Sequence, residues 1–282
     1  MTSFAGSLKA LLLASALAIG IADTAAAADL LLPPPPPLEP MAPPVFGGWY
    51  LRGDVGVGIT QLGKISSTFD AGFVAPDVRF DSATLGDSAF VGLGVGYQFN
   101  NWLRADITGE YRTGAHFSAI ESYAPPTCPV VGGRCYDNYS GQVSSAVVLA
   151  NGYVDLGTWY GITPFVGAGV GVANSTVSGL TDTGVTVGGF GFAPTHTSTN
   201  LAWAATAGLD YAITPNLKLE ISYRYLDMGD VRSGAISCTN TPVCGHEVQK
   251  FHLASHDIRI GMRWMFASIP LMAPELPLVT KY

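Results

Sequence analysis

The chain has 282 residues, of which 48% are hydrophobic and only 12% are charged, and its formal net charge is −7. The mean hydropathy of +0.30 excludes a disordered chain, and the acidic pI near 5.1 argues against a nucleic-acid partner. Beyond the N-terminal leader, no segment approaches the ~20 consecutive apolar residues that a membrane-spanning helix needs. A chain that is apolar overall but never apolar over a long run indicates alternating β-strands.

Residues 1–28 predict a secretory signal peptide. The first nine residues carry one lysine, residues 10–21 are largely apolar, and residues 25–28 supply the small side chains that signal peptidase requires. The alternative is an N-terminal membrane anchor, for which the apolar run is short. We therefore expect an exported protein.

Proline-rich segments flank the remaining chain at 29–47 and 267–282. Proline lacks a backbone N–H and fixes φ, so neither segment can pair in a sheet, and both are expected to be extended spacers. We expect the first to be a periplasmic linker and the second a periplasmic tail; the alternative is a peptide ligand for a partner. The folded domain is expected over residues 48–266.

Eight segments between these tails show the two-residue period of β-strands, with one apolar face and one mixed face. In the third segment, apolar Leu103, Ala105 and Ile107 alternate with charged and polar neighbours. The segments are 49–60, 88–99, 103–113, 144–156, 164–173, 201–211, 217–225 and 255–266.

Charged residues occur on only one face of these segments, in seven basic and seven acidic positions. A wide apolar face opposite a face whose charges cancel predicts a closed, antiparallel, up-and-down β-barrel with lipid outside, where a midplane charge costs about 2–4 kcal/mol. Closure also satisfies every backbone group, which lipid requires. The predicted lumen charge network consists of Arg52, Asp54, Arg104, Asp106, Glu110, Arg112, Asp155, Asp210, Lys218, Glu220, Arg224, Asp257, Arg259 and Arg263.

The connections between the segments alternate in length, which predicts short periplasmic turns and four long extracellular loops. Aromatic residues near the short-turn ends are expected to form an interfacial girdle. The loops carry an excess of acidic residues. This charge favours either a solvated surface or the binding of divalent cations that bridge lipopolysaccharide. The long loops are 61–87, 114–143, 174–200 and 226–254. The girdle residues are Trp49, Tyr50, Phe99, Trp102, Trp159, Tyr160, Tyr211, Trp264 and Phe266.

Two segments resemble a known family. The last strand has the pattern Arg259, Gly261, Trp264, Phe266, and residues 163–173 read TPFVGAGVGVA. Over residues 48–266 the chain is similar to the OmpA/OmpX-like eight-stranded outer-membrane proteins, especially the alphaproteobacterial opacity-type porins, surface antigens and heat-resistant agglutinins.

This resemblance implies a place in the outer membrane of a Gram-negative bacterium, in contact with its lipid and lipopolysaccharide. It also implies that the barrel assembly machinery of that membrane reads the pattern of the last strand as an assembly signal. Attachment of the mature N-terminus, near Asp29, to peptidoglycan is a further property that the resemblance permits. Nothing after Phe266 resembles a peptidoglycan-binding domain.

The interior of an eight-stranded barrel is just wide enough for its own side chains to fill. We therefore expect the fourteen charges and Tyr153 to form an ion-paired plug, for which inward-facing glycines make room. Removing one partner of a buried ion pair typically costs about 3–5 kcal/mol. The plug predicts that there is no large diffusion pore, and the alternative is a small or transient water path.

The four cysteines are expected to form disulfide bonds within the outer loops, because an exported chain meets an oxidising environment. Three connectivities are possible, and the simplest joins Cys128 to Cys135 and Cys238 to Cys244. The alternative is a metal site made of the second pair with two histidines, at a spacing that matches no standard zinc pattern. Those histidines are His246 and His252.

Candidate catalytic motifs are weak. His196 and Ser198 resemble the His-x-Ser of lipid A deacylases, but no acidic residue is at hand to orient them. The Gly-x-Gly repeats are followed by no helix, so a nucleotide-binding loop is not expected. We expect no enzyme and no cofactor, but an outer-membrane protein that supports envelope integrity and presents surface loops. The alternatives are a narrow channel for small solutes and an adhesin or agglutinin that binds host or neighbouring cells.

Overall fold

The computed structural model describes residues 47–69, 78–125, 128–239 and 247–266. The predicted signal peptide, most of the proline-rich linker and the C-terminal tail lie outside these residues. Within the described ranges, no helix is long and apolar enough to cross a membrane.

Eight long strands form a closed antiparallel ring in which each strand pairs with its neighbours, and the first strand pairs with the last. This confirms the predicted fold class. The ring consists of β1 (Gly48–Phe69), β3 (Ser88–Gln98), β4 (Leu103–Tyr123), β5 (Cys135–Asp155), β6 (Ile162–Gly184), β8 (His196–Ala212), β9 (Leu217–Arg232) and β11 (Glu247–Met265). Three short strands lie beside it, β2 (Arg79–Leu85), β7 (Phe190–Phe192) and β10 (Ser237–Cys238).

The alternation of side chains places apolar residues outside and charged residues inside the ring. Val55, for example, pairs with Val91 and Ile260, and all three side chains are exposed on the outer surface. Inward glycines face large polar side chains: a Cβ at Gly58 would overlap the Arg112 guanidinium. The network therefore requires glycine at such positions.

The predicted outer strand boundaries are wrong, because much of each long loop is strand. β4, β5 and β6 contain 21, 21 and 23 residues, about twice the 9–11 that a tilted strand needs to span a membrane. The alternation that places apolar side chains on the outer face ends where the lipid ends, whereas the backbone hydrogen bonds between strands continue into the water outside. The outer half of the barrel therefore extends well beyond the membrane.

Four β-bulges reverse the two faces of a strand above the membrane. Each adds one residue to β1, β4, β6 or β9, so that the set of side chains that pointed outward now points inward. The bulges lie between Leu62 and Ile65, Arg112 and Ala115, Ser178 and Thr181, and Asp227 and Gly229.

Above the charge network, the interior of the barrel is apolar. Phe117 and Phe251 stack with their ring centroids 5.3 Å apart, and Leu180, Val231 and Ile236 are buried in the same cluster. This apolar plug begins beside the outer charges, at Leu149, which pairs with Thr108, and continues toward the outer end. Outside the membrane the barrel is thus built like a water-soluble one, with an apolar core.

The aromatic girdle is exposed at the short-turn end as predicted, except for one residue. Tyr50 has 0% exposure, lies inside the barrel and donates a hydrogen bond to Asp106 Oδ2 at 3.1 Å. It shares its face of β1 with Arg52 and Asp54, so the alternation of the strand places it among the charges.

Candidate functional site

The fourteen predicted lumen residues line the membrane-spanning part of the interior. Thirteen are buried, and Lys218 is partly exposed near the short-turn end. They form three groups of ion pairs: a central group around Arg52, an outer group around Asp257, and a group around Arg104 and Arg263 at the short-turn end.

Arg52 is the centre of the first group. Its guanidinium donates to Asp54 at 2.8 Å, to Asp106 at 3.0 Å and to Glu220 at 2.8 Å. It also donates to the Tyr153 hydroxyl at 3.0 Å. These contacts join β1, β4, β5 and β9 across the interior, so one side chain ties four strands together.

Asp257 is the centre of the second group. Its carboxylate accepts hydrogen bonds from Arg112 and from Arg224, each as short as 2.6 Å, and from the Ser255 hydroxyl. Glu110 accepts from the same two arginines at 3.0 and 2.8 Å. The two guanidinium groups also lie over the ring of Phe90, a cation–π contact. Two acids and two arginines neutralise each other.

Pairing is less complete at the short-turn end. Arg104 donates to Asp155 at 3.1 Å and lies over the rings of Tyr153 and Phe165. Arg263 pairs with Asp210. Among the described residues, no carboxylate lies within salt-bridge distance of Lys218, which is a departure from the predicted network. Several buried nitrogens and oxygens have no hydrogen-bond partner in the described chain: Arg104 Nη1 and Nη2, Asp210 Oδ1, Arg259 Nε, and Arg263 Nε and Nη1. The two Arg104 nitrogens still lie 3.6 Å from Glu220 and 3.8 Å from Asp210.

A second buried cluster, at the outer end, is one that the sequence did not predict. Glu121 on β4, Asp137 on β5, Asp182 on β6 and Glu247 on β11 face inward above the apolar plug. Glu121 and Glu247 are only 2% and 6% exposed. We refer to these four residues as the acidic cluster. All four belong to segments that the sequence assigned to solvated loops.

Burial and mutual repulsion raise the pKa values of these acids. Burial, followed by the charge of Glu247 and a hydrogen bond between the two carboxyl groups, raises the pKa of Glu121 to about 9. Burial and the charges of Asp137 and Glu247 raise the pKa of Asp182 to about 7. Burial and the charge of Glu247 raise the pKa of Asp137 to about 6. The acidic cluster therefore retains protons at neutral pH.

The connection between β4 and β5 is closed by a disulfide bond between Cys128 and Cys135, whose Cα atoms are 5.4 Å apart. Cys238 is also disulfide-bonded, but its predicted partner Cys244 lies outside the described residues. In the alternative metal site, His246 lies outside them too. Both ring nitrogens of His252 are occupied by Asp227 and Asp230, at 3.0 and 3.1 Å.

No group of three His, Cys, Asp or Glu side chains in the described ranges is placed to hold a metal ion. His196 and Ser198 lie at the start of β8, where the Ser198 hydroxyl accepts a hydrogen bond from the Arg232 backbone N–H at 3.0 Å. No carboxylate in the described chain contacts His196. The predicted assembly-signal residues lie at the end of the ring: Arg259 and Gly261 face inward, and Trp264 and Phe266 are exposed outward.

A sequence model described as "outer membrane protein beta-barrel domain" matches residues 14–241. The chain belongs to this family. The family places the barrel in the outer membrane of Gram-negative bacteria, with its lipid and lipopolysaccharide.

Relatives of the chain include proteins of three bacterial genera. An uncharacterised protein of Brucella abortus is 34% identical over 210 residues, 67% of this chain and 70% of that protein. The outer membrane protein PagN of Salmonella typhimurium is 27% identical, over 78% of this chain and 90% of that protein. A putative adhesin of Rickettsia rickettsii is 29% identical, over 77% and 87%.

Similar solved structures include neisserial surface protein A, at 16% identity and a TM-score of 0.41, and OprG of Pseudomonas aeruginosa, at 15% and 0.46. Each covers 78% of this chain and 97% of the solved chain.

Proposed function

We propose that the protein is a non-enzymatic outer-membrane barrel whose interior is sealed and whose outer strands present a surface outside the cell. The observation that carries this proposal is the filled interior. The charge network occupies the membrane level, and the apolar plug around Phe117 and Phe251 closes the level above it. A barrel of this kind contributes to envelope integrity as a rigid element that leaks no solute.

The two layers close the interior in different ways. Moving an ion through the network would require breaking pairs such as Arg52 with Glu220, and leaving a buried charge unpaired costs about 3–5 kcal/mol. Water or ions among the apolar side chains of the plug would find few hydrogen-bond partners. Because the layers act in series, opening one of them leaves the other closed.

Conductance in planar bilayers tests the seal. We expect no conductance of the size of a general porin, measured in the same bilayers as a control, from the refolded protein. Arg52→Ala and Phe117→Ala each weaken one layer, and neither alone is expected to open a path. Steady porin-sized currents from the unmodified protein would contradict the proposal and favour a channel.

Adhesion is a second candidate, favoured by the outer end of β6 and β7. Val185, Val187, Phe190 and Phe192 are exposed to solvent there, well beyond the lipid-facing part of β6. Exposed apolar side chains on a rigid support are typical of binding surfaces. The names of PagN and of the rickettsial putative adhesin agree with a surface role for this family.

The test of adhesion is the binding of host cells by a non-adherent Gram-negative strain that displays the barrel. We expect serine at Val185, Val187, Phe190 and Phe192, which lie in β7 and in the connection before it, to abolish binding without changing surface display. Val131→Ser, at an exposed apolar side chain on the neighbouring connection, is the matched control. Equal binding by both variants would show that this hairpin does not mediate adhesion.

Partners in the envelope are part of the same proposal. We assign recognition by the outer-membrane barrel machinery to the exposed Trp264 and Phe266 on the last strand. Alanine at both is expected to reduce the amount of folded barrel in outer-membrane fractions.

The N-terminal segment is proposed as a spacer attached to peptidoglycan. If lysozyme digestion releases no muropeptide-linked form, that attachment is wrong.

A further inference from the structure

In the described part of the chain, the acidic cluster forms no ion pair with a basic side chain. Among the described residues, none of its four carboxyl groups lies within salt-bridge distance of a lysine, arginine or histidine. Arg134 donates to the hydroxyl and carbonyl of Ser122, the neighbour of Glu121. Buried carboxylates without compensating charge are unfavourable, so something else must neutralise them.

Hydrogen bonds distinguish the two most deeply buried acids of the cluster. Glu247 accepts from the Tyr139 hydroxyl at 2.9 Å, from Gln249 Nε2 at 2.5 Å and from the Ser67 hydroxyl. Three donors stabilise a charged carboxylate. Glu247 is therefore placed as the acceptor of the pair.

Glu121 is in the opposite situation. Its Oε2 atom is buried and has no hydrogen-bond partner, and it lies beside Glu247. Gln249, with 0% exposure, also has a buried Oε1 without a partner next to Glu247. A carboxyl group that has one buried oxygen without a donor and is close to another carboxyl group is stabilised as the neutral acid, which can itself donate.

We propose that Glu121 and Glu247 form a proton-dependent latch across the outer end of the barrel, with Glu121 as the neutral donor and Glu247 as the carboxylate acceptor. The latch joins β4 to β11, which are not neighbours in the sheet. The stacked rings of Phe117 and Phe251, on the same two strands, lie beneath it. Loss of the proton places two carboxylates side by side and opens the outer end above the plug.

The remaining titratable groups that face the pair act in the same direction. Those that raise the pKa values in the acidic cluster come from β4, β5 and β6 and are neutral or negative, whereas the positive charge of Arg134 is directed to Ser122. Asp137 and Asp182 add negative charge as they ionise, which favours retention of the proton on Glu121. The two tyrosines stay neutral over the working range, because burial raises their pKa values. These groups are Tyr123, Asp137, Tyr139 and Asp182.

The difference between the pKa of Glu121 in the closed latch and in the open one sets the sign and the size of the pH dependence of opening. The closed latch binds a proton up to about pH 9, whereas an open, solvated glutamate releases it near its ordinary pKa of about 4.3. Stability of the outer end is therefore complete in acid and is lost as the pH rises toward 9. Between pH 7 and pH 9, where one proton is released, the opening equilibrium should increase about a hundredfold.

Hydrogen exchange of the full-length refolded protein in detergent tests the latch. After correction for intrinsic rates, we expect exchange at 117–123 and 247–251 to increase about a hundredfold from pH 7 to pH 9. Glu121→Gln is uncharged at every pH and should abolish this dependence. Asp87→Asn, which removes an exposed acid outside the acidic cluster, should leave it unchanged.

Infrared spectroscopy reports the protonation of the carboxyl groups directly and does not depend on opening of the latch. At pH 8, where Asp137 and Asp182 are largely ionised, the unmodified protein should show a protonated carboxyl band that is much weaker in Glu121→Gln. Three results would overturn the proposal. They are an unchanged band in the variant, equal pH dependence in variant and unmodified protein, or restored protection at pH 9 when Ca²⁺ is added, which would indicate a cation site instead.

Discussion

Replacing Asp257 by alanine should strongly destabilise the barrel. Its carboxylate is fully buried and accepts from Arg112, Arg224 and Ser255. Without it, two guanidinium groups share only Glu110, and a buried positive charge remains uncompensated. Such a loss typically costs about 3–5 kcal/mol, or roughly a hundredfold to several thousandfold in the unfolding equilibrium.

Reversible urea unfolding in lipid vesicles, followed by the heat-sensitive gel migration of the folded barrel, measures this cost. The matched control is Asp230→Ala, which removes an exposed partner of Lys250 and should cost less than about 1 kcal/mol. Adding Arg224→Met to Asp257→Ala restores neutrality, so the double variant should cost less than the sum of the single ones. Equal, small costs for Asp257→Ala and Asp230→Ala would refute the reasoning.

Three further predictions test other parts of the structure. Gly58→Val should prevent folding, because its side chain would occupy the space of a network guanidinium, whereas Gly152→Ala meets open space and should fold normally on gels. Serine at both Cys128 and Cys135 should cost about 2–3 kcal/mol of connection stability, seen as faster proteolysis between β4 and β5. His252 is held by two aspartates that raise its pKa against the effect of its partial burial. Its stabilising contribution should be complete below pH 6.5 and lost as the pH rises through the raised pKa; His252→Gln should abolish this dependence of local exchange.

Within the membrane, physical constraints make the sequence easy to interpret. Lipid excludes charge from the outer face and a narrow barrel leaves room only for side chains, so Asp106 must point inward and Ile107 outward. Which charges pair with each other could not be predicted in this way. The contact of Arg52 with Glu220 crosses the interior, and it depends on strand tilt and register, which alternation alone does not determine.

Beyond the membrane, two assumptions of the sequence analysis fail: that a strand has an apolar outer face, and that its alternation continues unbroken. The outer face no longer needs to be apolar, so a strand rich in Ser and Thr resembles a loop in the sequence. The bulges reverse the inward and outward faces of the strand. Phe117 and Glu121 therefore lie inside although they continue the lipid-facing set of β4. A signal for the reversal was available, because an isolated glycine in a strand suggests a bulge. Glycine occurs in or beside all four bulges, at Gly63, Gly114, Gly179 and Gly229.

The accessibility of a thiol inside the barrel tests the sealed interior most directly. Thr108 faces inward and is buried, whereas its neighbour Ile107 faces lipid. In vesicles, we predict that Thr108→Cys reacts with a water-soluble thiol reagent only after unfolding, and that Ile107→Cys reacts with a lipid-soluble one in the folded state. Rapid reaction of the folded Thr108→Cys protein with the water-soluble reagent would show a water-filled interior and contradict the account.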